Sequence, residues 1–565
     1  MARSTHAVTG PVAPAPRRRD FLALLGTGAA AAFGDSLLGC TRHAAPRGSA
    51  SNARAVAALL PHYKPIELLQ PDYPGRGPIP DGYLRYPTEL VRAIAEKPSR
   101  SGRVIRTMSP AWGPTPPGLG RNSFLDAINA ELGVTVNPSI QDGNTFGDKL
   151  SAMLGARDVP DVLVTPSWEI DRIPRFSQAV RALFADLTEL LRGDAIDAYP
   201  MLATLPTLAW QYSVWGDRLA AVPFPTDGPF PWALFYRKDL TDRAGVEAPR
   251  HIDALYEFGK RMTDPGKGVW AFGSIFNMVQ MLFKCPGSKG GWRKKAGGGL
   301  EFKLEIPEFR QALDFTRRLF TEGLVHPDVV ASRGADTKQL FNAGRILLCE
   351  DGMGAWRGMQ SEQAKVTPGF DMQPMPIFSA VGGDPIAWGG GAPIFYTFVK
   401  KGLGPDRTHE ILRVLDWCAA PLGSKEYELN SVGVEGRHFT RGADGSPVPT
   451  DLGRKEIASP GQYTLLGGRA PAVVGTADVS TYVEDLFAYL ESTIRYLEPD
   501  LFEGIKVELP ASVSRGIAPT DDKLNDLLRG RRPLGDLDEI VAEWRASGGD
   551  EGREFLEETL AANGR

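Results

Sequence analysis

The chain has 565 residues, 42% of them hydrophobic and 23% charged, with a formal charge of −4. This is ordinary globular composition, which excludes a chain disordered throughout, and its mildly acidic balance offers no basic face for nucleic acid. A chain this long exceeds what a single core supports, so two lobes or domains are expected.

The N-terminal region sets Arg17, Arg18 and Arg19 before a run from Phe21 to Gly34 that carries no charge. Those fourteen residues fall short of the roughly 18 to 20 needed to cross a bilayer core. A basic cluster, an apolar stretch of Leu, Gly and Ala, and a small-residue exit predict a removable export signal over residues 1–39. The order Arg18, Arg19, Asp20, Phe21, Leu22 resembles the twin-arginine export motif. Leu37-Leu38-Gly39-Cys40 resembles the lipobox of bacterial lipoproteins, in which the Cys thiol takes a diacylglyceryl group and becomes the new N-terminus. Residues 40–100 are then expected to be a lipidated Cys40, a small polar tether, and a Pro- and Tyr-rich segment that is irregular but partly packed.

The first clear strand is RVIRTM, 103–108, ending in a Pro-rich loop with Trp112. SFLDAINAELGV, 123–134, has apolar residues at 124, 125, 128 and 132 and a closing Gly133, the pattern of an amphipathic helix with its C-cap. TVNPSI, a helical FGDKLSAMLGAR and the VLV of DVPDVLVTP follow, the last reading as a strand buried on both faces. Strand, helix, strand, helix, strand is a parallel α/β layout, in which ligands bind outside the carboxyl ends of strands. Here those ends are the loops bearing Trp112 and Trp168.

Near residue 220 the pattern changes. RLAAVPFPTDGPFPWALFYRKDL passes from a short strand through a Pro/Gly-rich link into a second apolar strand. Helices are expected at HIDALYEFGKRM and PEFRQALDFTRRLF, a return strand at RILLCED, then DGMGAWRGM, the Gly-rich AWGGGAPIFYTFVK and helical segments to the end. Cys285, Cys349 and Cys418 have no metal-ligand spacing, and the latter two lie in apolar runs that predict burial. There is no G-x-S-x-G elbow, no H-E-x-x-H and no P-loop.

Taken in order, VPDVLV, VPFP, WALFYRKDLTDRAGVEAPRHIDALYEFGKRMTDP, FTEGLVHPDV, FNAGRILLCEDGMGAW and VGVEGRHFT resemble the extracellular solute-binding proteins of ABC importers. Within them the likeness is to the large sugar-binding lipoproteins related to alginate-oligosaccharide binders. The resemblance implies an α/β, two-lobed periplasmic-binding-protein-like fold of type II, with discontinuous lobes joined by hinge strands. Lobe 1 is expected over 101–222 plus 352–398 and lobe 2 over 226–348 plus 402–565. The chain would cross between them near 222–230, 347–355 and 395–403. The alginate-binding relatives carry an acidic calcium loop after the helix ending T-D-P. Here that loop is TDPGKGVWAFGS with Asp264 its only carboxylate, so no bound calcium and no other cofactor is expected.

A pyranose presents an apolar face of C–H groups and a rim of hydroxyls, so a sugar site wants flat aromatics flanked by carboxylates and amides. Trp112, Trp168, Trp232, Trp356 and Trp388 stand in loops or beside glycines and are the candidate stacking residues. Glu350 and Asp351 are candidate hydroxyl acceptors, with Asp227 and Arg357 as further polar partners, and Glu435 is expected in a structural ion pair or turn contact. The function implied is a non-enzymatic substrate-binding lipoprotein, monomeric and exported by the twin-arginine route to the outer face of the cell membrane. It would close around a carbohydrate and deliver it to ABC permease subunits. The alternatives are a secreted glycosidase or lyase using two carboxylates, or a sensory lipoprotein on the same fold.

Overall fold

The computed structural model describes residues 48–565 apart from 171, 227, 331–333, 391, 477, 478 and 480. The leader, Arg18, Arg19, Cys40 and Asp227 therefore lie outside the described residues. The elements that place the site are strands β1 (Val104–Ala111), β2 (Thr135–Asp142), β3 (Val162–Pro166), β4 (Ala221–Phe224), β5 (Trp232–Arg237), β6 (Trp270–Phe272), β7 (Ile346–Gly352), β8 (Met372–Pro374) and β9 (Phe395–Val399). With them stand helices α1 (Ser123–Leu132), α2 (Phe146–Ala156), α3 (Phe276–Leu282), α4 (Met353–Val366) and α5 (Pro405–Cys418).

Two sheets carry two lobes. In lobe 1 the order is β2-β1-β3-β9-β4; β1 runs parallel to β2 and β3, while β9 is antiparallel to both of its neighbours. The VLV run explains why this sheet is covered on both faces. Val162 and Val164 point into one core with α1, and Leu163 points into the other with α2. Helix α1 forms as its sequence predicts: the Asn122 side chain accepts from the N–H groups of Phe124 and Leu125, and Gly133 at φ 67° ends it. A Cβ on Gly133 would meet the Ser99 carbonyl at 1.9 Å, so close approach as well as conformation requires glycine there.

In lobe 2 the order is β6-β7-β5-β8, with β5 antiparallel to β7 and β8. The alternation along β5 again divides two cores: Leu234 and Tyr236 face one, Ala233 and Phe235 the other.

The chain leaves lobe 1 after Phe224 and enters lobe 2 at Trp232. The two later crossings correct the expected boundaries. No crossing occurs near 347–355, because β7 pairs with β5 and α4 is fastened to the same lobe by Trp356, whose indole N–H donates to the Met372 carbonyl at 2.6 Å. Residues 352–388 thus belong to lobe 2, and the passage to lobe 1 comes through the Gly-rich stretch before β9. Nor does the chain cross at 395–403. Helix α5 buries Ile411, Leu412, Leu415 and Trp417 in the core of lobe 1, as do Leu465 and Leu466, so the return to lobe 2 follows residue 467. The helix Tyr482–Thr493 then packs with Trp356 and Phe235.

The described part of the segment 40–100 is packed. Val56 and Leu60 lie in the lobe 1 core, Tyr73 stacks on Phe487 of lobe 2 at 4.5 Å, and Asp81–Tyr83 pairs in parallel with Ala472–Val474. Among the described residues no helix is long and apolar enough to cross a membrane.

Candidate functional site

Strands β1 and β3 end side by side, and each delivers a tryptophan just past its last residue. Trp112 and Trp168 are 39% and 42% exposed, with ring centroids 5.9 Å apart and planes at 47°. Phe395, the first residue of the antiparallel β9, lies at the same edge and backs both rings, at 6.2 Å from Trp112 and 5.7 Å from Trp168. The Trp112 loop is pinned by its backbone N–H to the Ser459 carbonyl at 3.0 Å. Gly143, just beyond β2, gives the indole room: a Cβ there would fall 2.2 Å from the ring. The three rings form a half-open aromatic wall on lobe 1.

Trp232 opens β5 where the chain enters lobe 2; it is 53% exposed and pairs in register with Gly352 at the end of β7. Glu350 and Asp351 lie on β7 beside this point and leave opposite faces of the strand. Glu350 does the work of a helix cap. Its carboxylate accepts from the Met278 N–H at 3.1 Å, the Ser274 hydroxyl at 3.1 Å and the Asn277 amide at 3.0 Å, all at the start of α3. Burial pushes its pKa up, and those three hydrogen bonds oppose the rise. Asp351 accepts from the Gly352 N–H at 2.8 Å and forms an ion pair with Lys338 at 3.1 Å. Arg357 sits half-buried just past the first turn of α4 and has no ion pair among the described residues.

Two of the expected stacking residues are placed elsewhere. Trp356 is 1% exposed, packed against Phe235 and Tyr482, with its N–H committed to Met372; it is a core residue of lobe 2. Trp388 is half-buried. Its indole N–H donates to the Cys285 carbonyl at 2.8 Å, and one face lies against Gly287, where a Cβ would come within 2.6 Å. It braces the crossing segment. The neighbouring glycines that suggested a sugar platform at both positions have another explanation: Trp356 lies on the buried side of a helix, and at Trp388 it is Gly287 that lets backbone and indole approach closely.

Phe395 and Lys338 were not singled out by the sequence. Phe395 reads as one apolar residue in a strand, and only the antiparallel insertion of β9 between β3 and β4 carries it to the site. The expectation for Glu435 matches the geometry, since it pairs with Arg441 at 3.1 Å. Asp264 pairs with Lys267 at 2.8 Å and caps its own turn, and among the described residues no three His, Cys, Asp or Glu side chains converge on a point. Ser123, His438 and Glu456 do meet, with the Ser hydroxyl 2.9 Å from the imidazole. His438 is fully buried and Glu456 also accepts from the N–H groups of Ser123 and Phe124, so this set caps α1 and exposes no nucleophile.

The sequence pattern of the bacterial extracellular solute-binding proteins matches residues 116–397 of the chain, from the approach to α1 through most of β9. The chain belongs to this family. It is 21% identical over 340 residues to the polygalacturonan/rhamnogalacturonan-binding protein YtcQ of Bacillus subtilis (strain 168), covering 56% of this chain and 62% of that protein. Among solved structures, alginate-binding protein AlgQ2 without calcium ion superposes with a TM-score of 0.60 at 16% identity, over 83% of this chain and 99% of that one. The S. pneumoniae substrate-binding protein FusA in complex with kestose gives 0.58 at 14% identity, over 81% and 99%. A solute-binding protein from Bifidobacterium longum infantis described as binding HMO gives 0.58 at 14%, over 82% and 99%. At such identities the likeness establishes the two-lobed solute-binding fold. The family and these relatives are described as binding proteins rather than enzymes.

Proposed function

We propose that this solute-binding protein is the capture subunit of an ABC importer and that its ligand is a carbohydrate, an oligosaccharide in particular, held between the lobes. The observation that carries the reading is the half-open wall of Trp112, Trp168 and Phe395 at the strand ends of lobe 1. Flat indoles left partly exposed at a strand edge suit the C–H face of a pyranose. Trp232 faces solvent at the entry to lobe 2, and Asp351, Lys338 and Arg357 supply polar groups from that side for hydroxyls; Asp227 is a further candidate partner by its sequence. Glu350 holds α3 in place and takes no direct part. The descriptions of the relatives, which name polygalacturonan, kestose and HMO as ligands, support a saccharide ligand.

Binding draws the lobes together, since a ligand touching both is held fully only when they are shut. The closed form docks on membrane permease subunits. Cys40 carries the lipid anchor, the twin-arginine leader supplies export, and the mature protein acts as a monomer on the outer face of the membrane. Intrinsic tryptophan fluorescence and calorimetry against a panel of uronate, fructan and neutral oligosaccharides test the reading. Saturable binding with the sugar recovered intact is expected; turnover of any sugar overturns it in favour of a glycosidase or lyase. Mass spectrometry of the membrane fraction tests the anchor, and an unmodified Cys40 or a retained leader would remove it.

A further inference from the structure

The stretch from Asp500 to Glu508 comes after the lobe 2 helix Tyr482–Thr493 and touches both lobes. Phe502, Ile505 and Val507 are each at most 3% exposed and lie in the lobe 2 core. Lys506 and Glu508, on either side of Val507, turn the other way. The Lys506 ammonium lies 4.5 Å from the Trp215 ring centroid and 4.6 Å from that of Tyr396, two lobe 1 rings that meet edge-on at 5.0 Å. The Glu508 carboxylate accepts from the Ser177 N–H of lobe 1 at 3.0 Å. Gly504, at φ 73°, presses so close to Gln211 that a Cβ would meet its amide oxygen at 2.5 Å.

The N-terminal chain fastens this stretch from outside. Ser49 and Ala50 pair antiparallel with Glu508 and Val507. The Ser51 N–H donates to the Lys506 carbonyl at 3.0 Å, and the Lys506 N–H donates to the Ser51 hydroxyl at 2.8 Å. Lys506 is thus held by its backbone while its partly buried side chain brings the ammonium to two aromatic rings, which attract a cation.

We infer that residues 500–508 form an interlobe strap, in which Lys506 gripped by Trp215 and Tyr396 sets the resting spacing of the lobes and the strand Ser49–Ala50 keeps the strap in register. The inference takes lobe movement from the proposed function and adds what restrains it. Tyr396 adjoins Phe395, which backs Trp112 and Trp168, so the grip acts on the strand that supports the aromatic wall.

The test measures the lobe-to-lobe distance without ligand, so a failure to find any binding sugar leaves it readable. Spin labels are placed on Val104→Cys in lobe 1 and Val366→Cys in lobe 2, which are 50% and 72% exposed, in the full chain carrying Cys40→Ser. The native Cys285, Cys349 and Cys418 are at most 1% exposed and stay unlabelled. Electron double resonance should show Lys506→Met with a distance distribution broader and longer than the parent, and Lys506→Arg, which keeps the cation, matching the parent. Glu508→Ala, at the other end of the grip, should broaden the distribution in the same direction and serves if Lys506→Met fails to melt as a folded protein. A Lys506→Met or Glu508→Ala distribution that superimposes on the parent, or an equal broadening in Lys506→Arg, overturns the strap.

Discussion

Trp112 and Trp168 touch each other across two neighbouring strand ends, their centroids 5.9 Å apart. A sugar ring sandwiched between two indoles needs about 7 to 8 Å, twice the carbon–carbon contact distance of roughly 3.5 to 4 Å. The pair therefore forms one bent wall, and under the proposed function a ligand would lie on its outer side. Trp112→Ala and Trp168→Ala should each weaken oligosaccharide binding by on the order of 1 to 3 kcal/mol, read by calorimetry, with little change in melting temperature. Unchanged affinity in both would take the wall out of the site.

Trp356 gives the opposite signature. Its indole fills the core between β5, α4 and the helix Tyr482–Thr493, and its N–H closes a buried hydrogen bond. Trp356→Ala should cost roughly 3 to 5 kcal/mol in urea unfolding, while affinity in the absence of urea stays near the parent value. Lost affinity in a protein of unchanged stability would restore Trp356 to the ligand site.

The contrast between these tryptophans shows what the sequence could carry. Trp112 and Trp168 were legible because a parallel strand of apolar residues has a defined carboxyl end, and a residue just past it has a defined address. Trp356 and Trp388 sit among glycines, a pattern shared by an open ligand loop and by tight backbone packing around a buried ring, and only the tertiary partners decide between them. The same limit explains the misplaced lobe boundaries. Local periodicity marks β7 and β9 as strands, but the sheet each joins depends on neighbours more than a hundred residues away, such as β5 for β7 and β3 for β9.

Asp416 supplies a pH dependence. Burial raises its carboxyl to about 7, against hydrogen bonds from the N–H groups of Leu202 at 2.9 Å and Met201 at 2.8 Å that favour the charged form. The folded state then holds a proton that the unfolded chain has released, so stability falls as pH rises from about 4 towards 7. Asp416→Asn keeps the accepting oxygen and removes the charge. Its stability should stay flatter than the parent's across that window and exceed it at pH 8; parallel curves from chemical denaturation would exclude Asp416 as the cause.

Glu410 works in the reverse sense. Burial alone would raise its pKa, yet hydrogen bonds from Ser101, Ser99 and Arg407 outweigh it and hold the carboxyl at about 2. The Ser99 hydroxyl and the Arg407 guanidinium each lie 2.5 Å from it, and Arg103 adds an ion pair at 3.2 Å, tying the chain before β1 to α5. Here the unfolded state binds the proton more readily. The contribution is complete above the ordinary glutamate pKa and is lost as pH falls towards 2. Glu410→Gln leaves the buried Arg407 with only the longer ion pair to Asp161, at 3.6 Å, which should cost on the order of 1 to 3 kcal/mol at pH 7. That deficit should shrink on acidification, because the parent loses the same interaction. A deficit that stays constant down to pH 3 would mean that the residue acts through packing and that its charge contributes nothing.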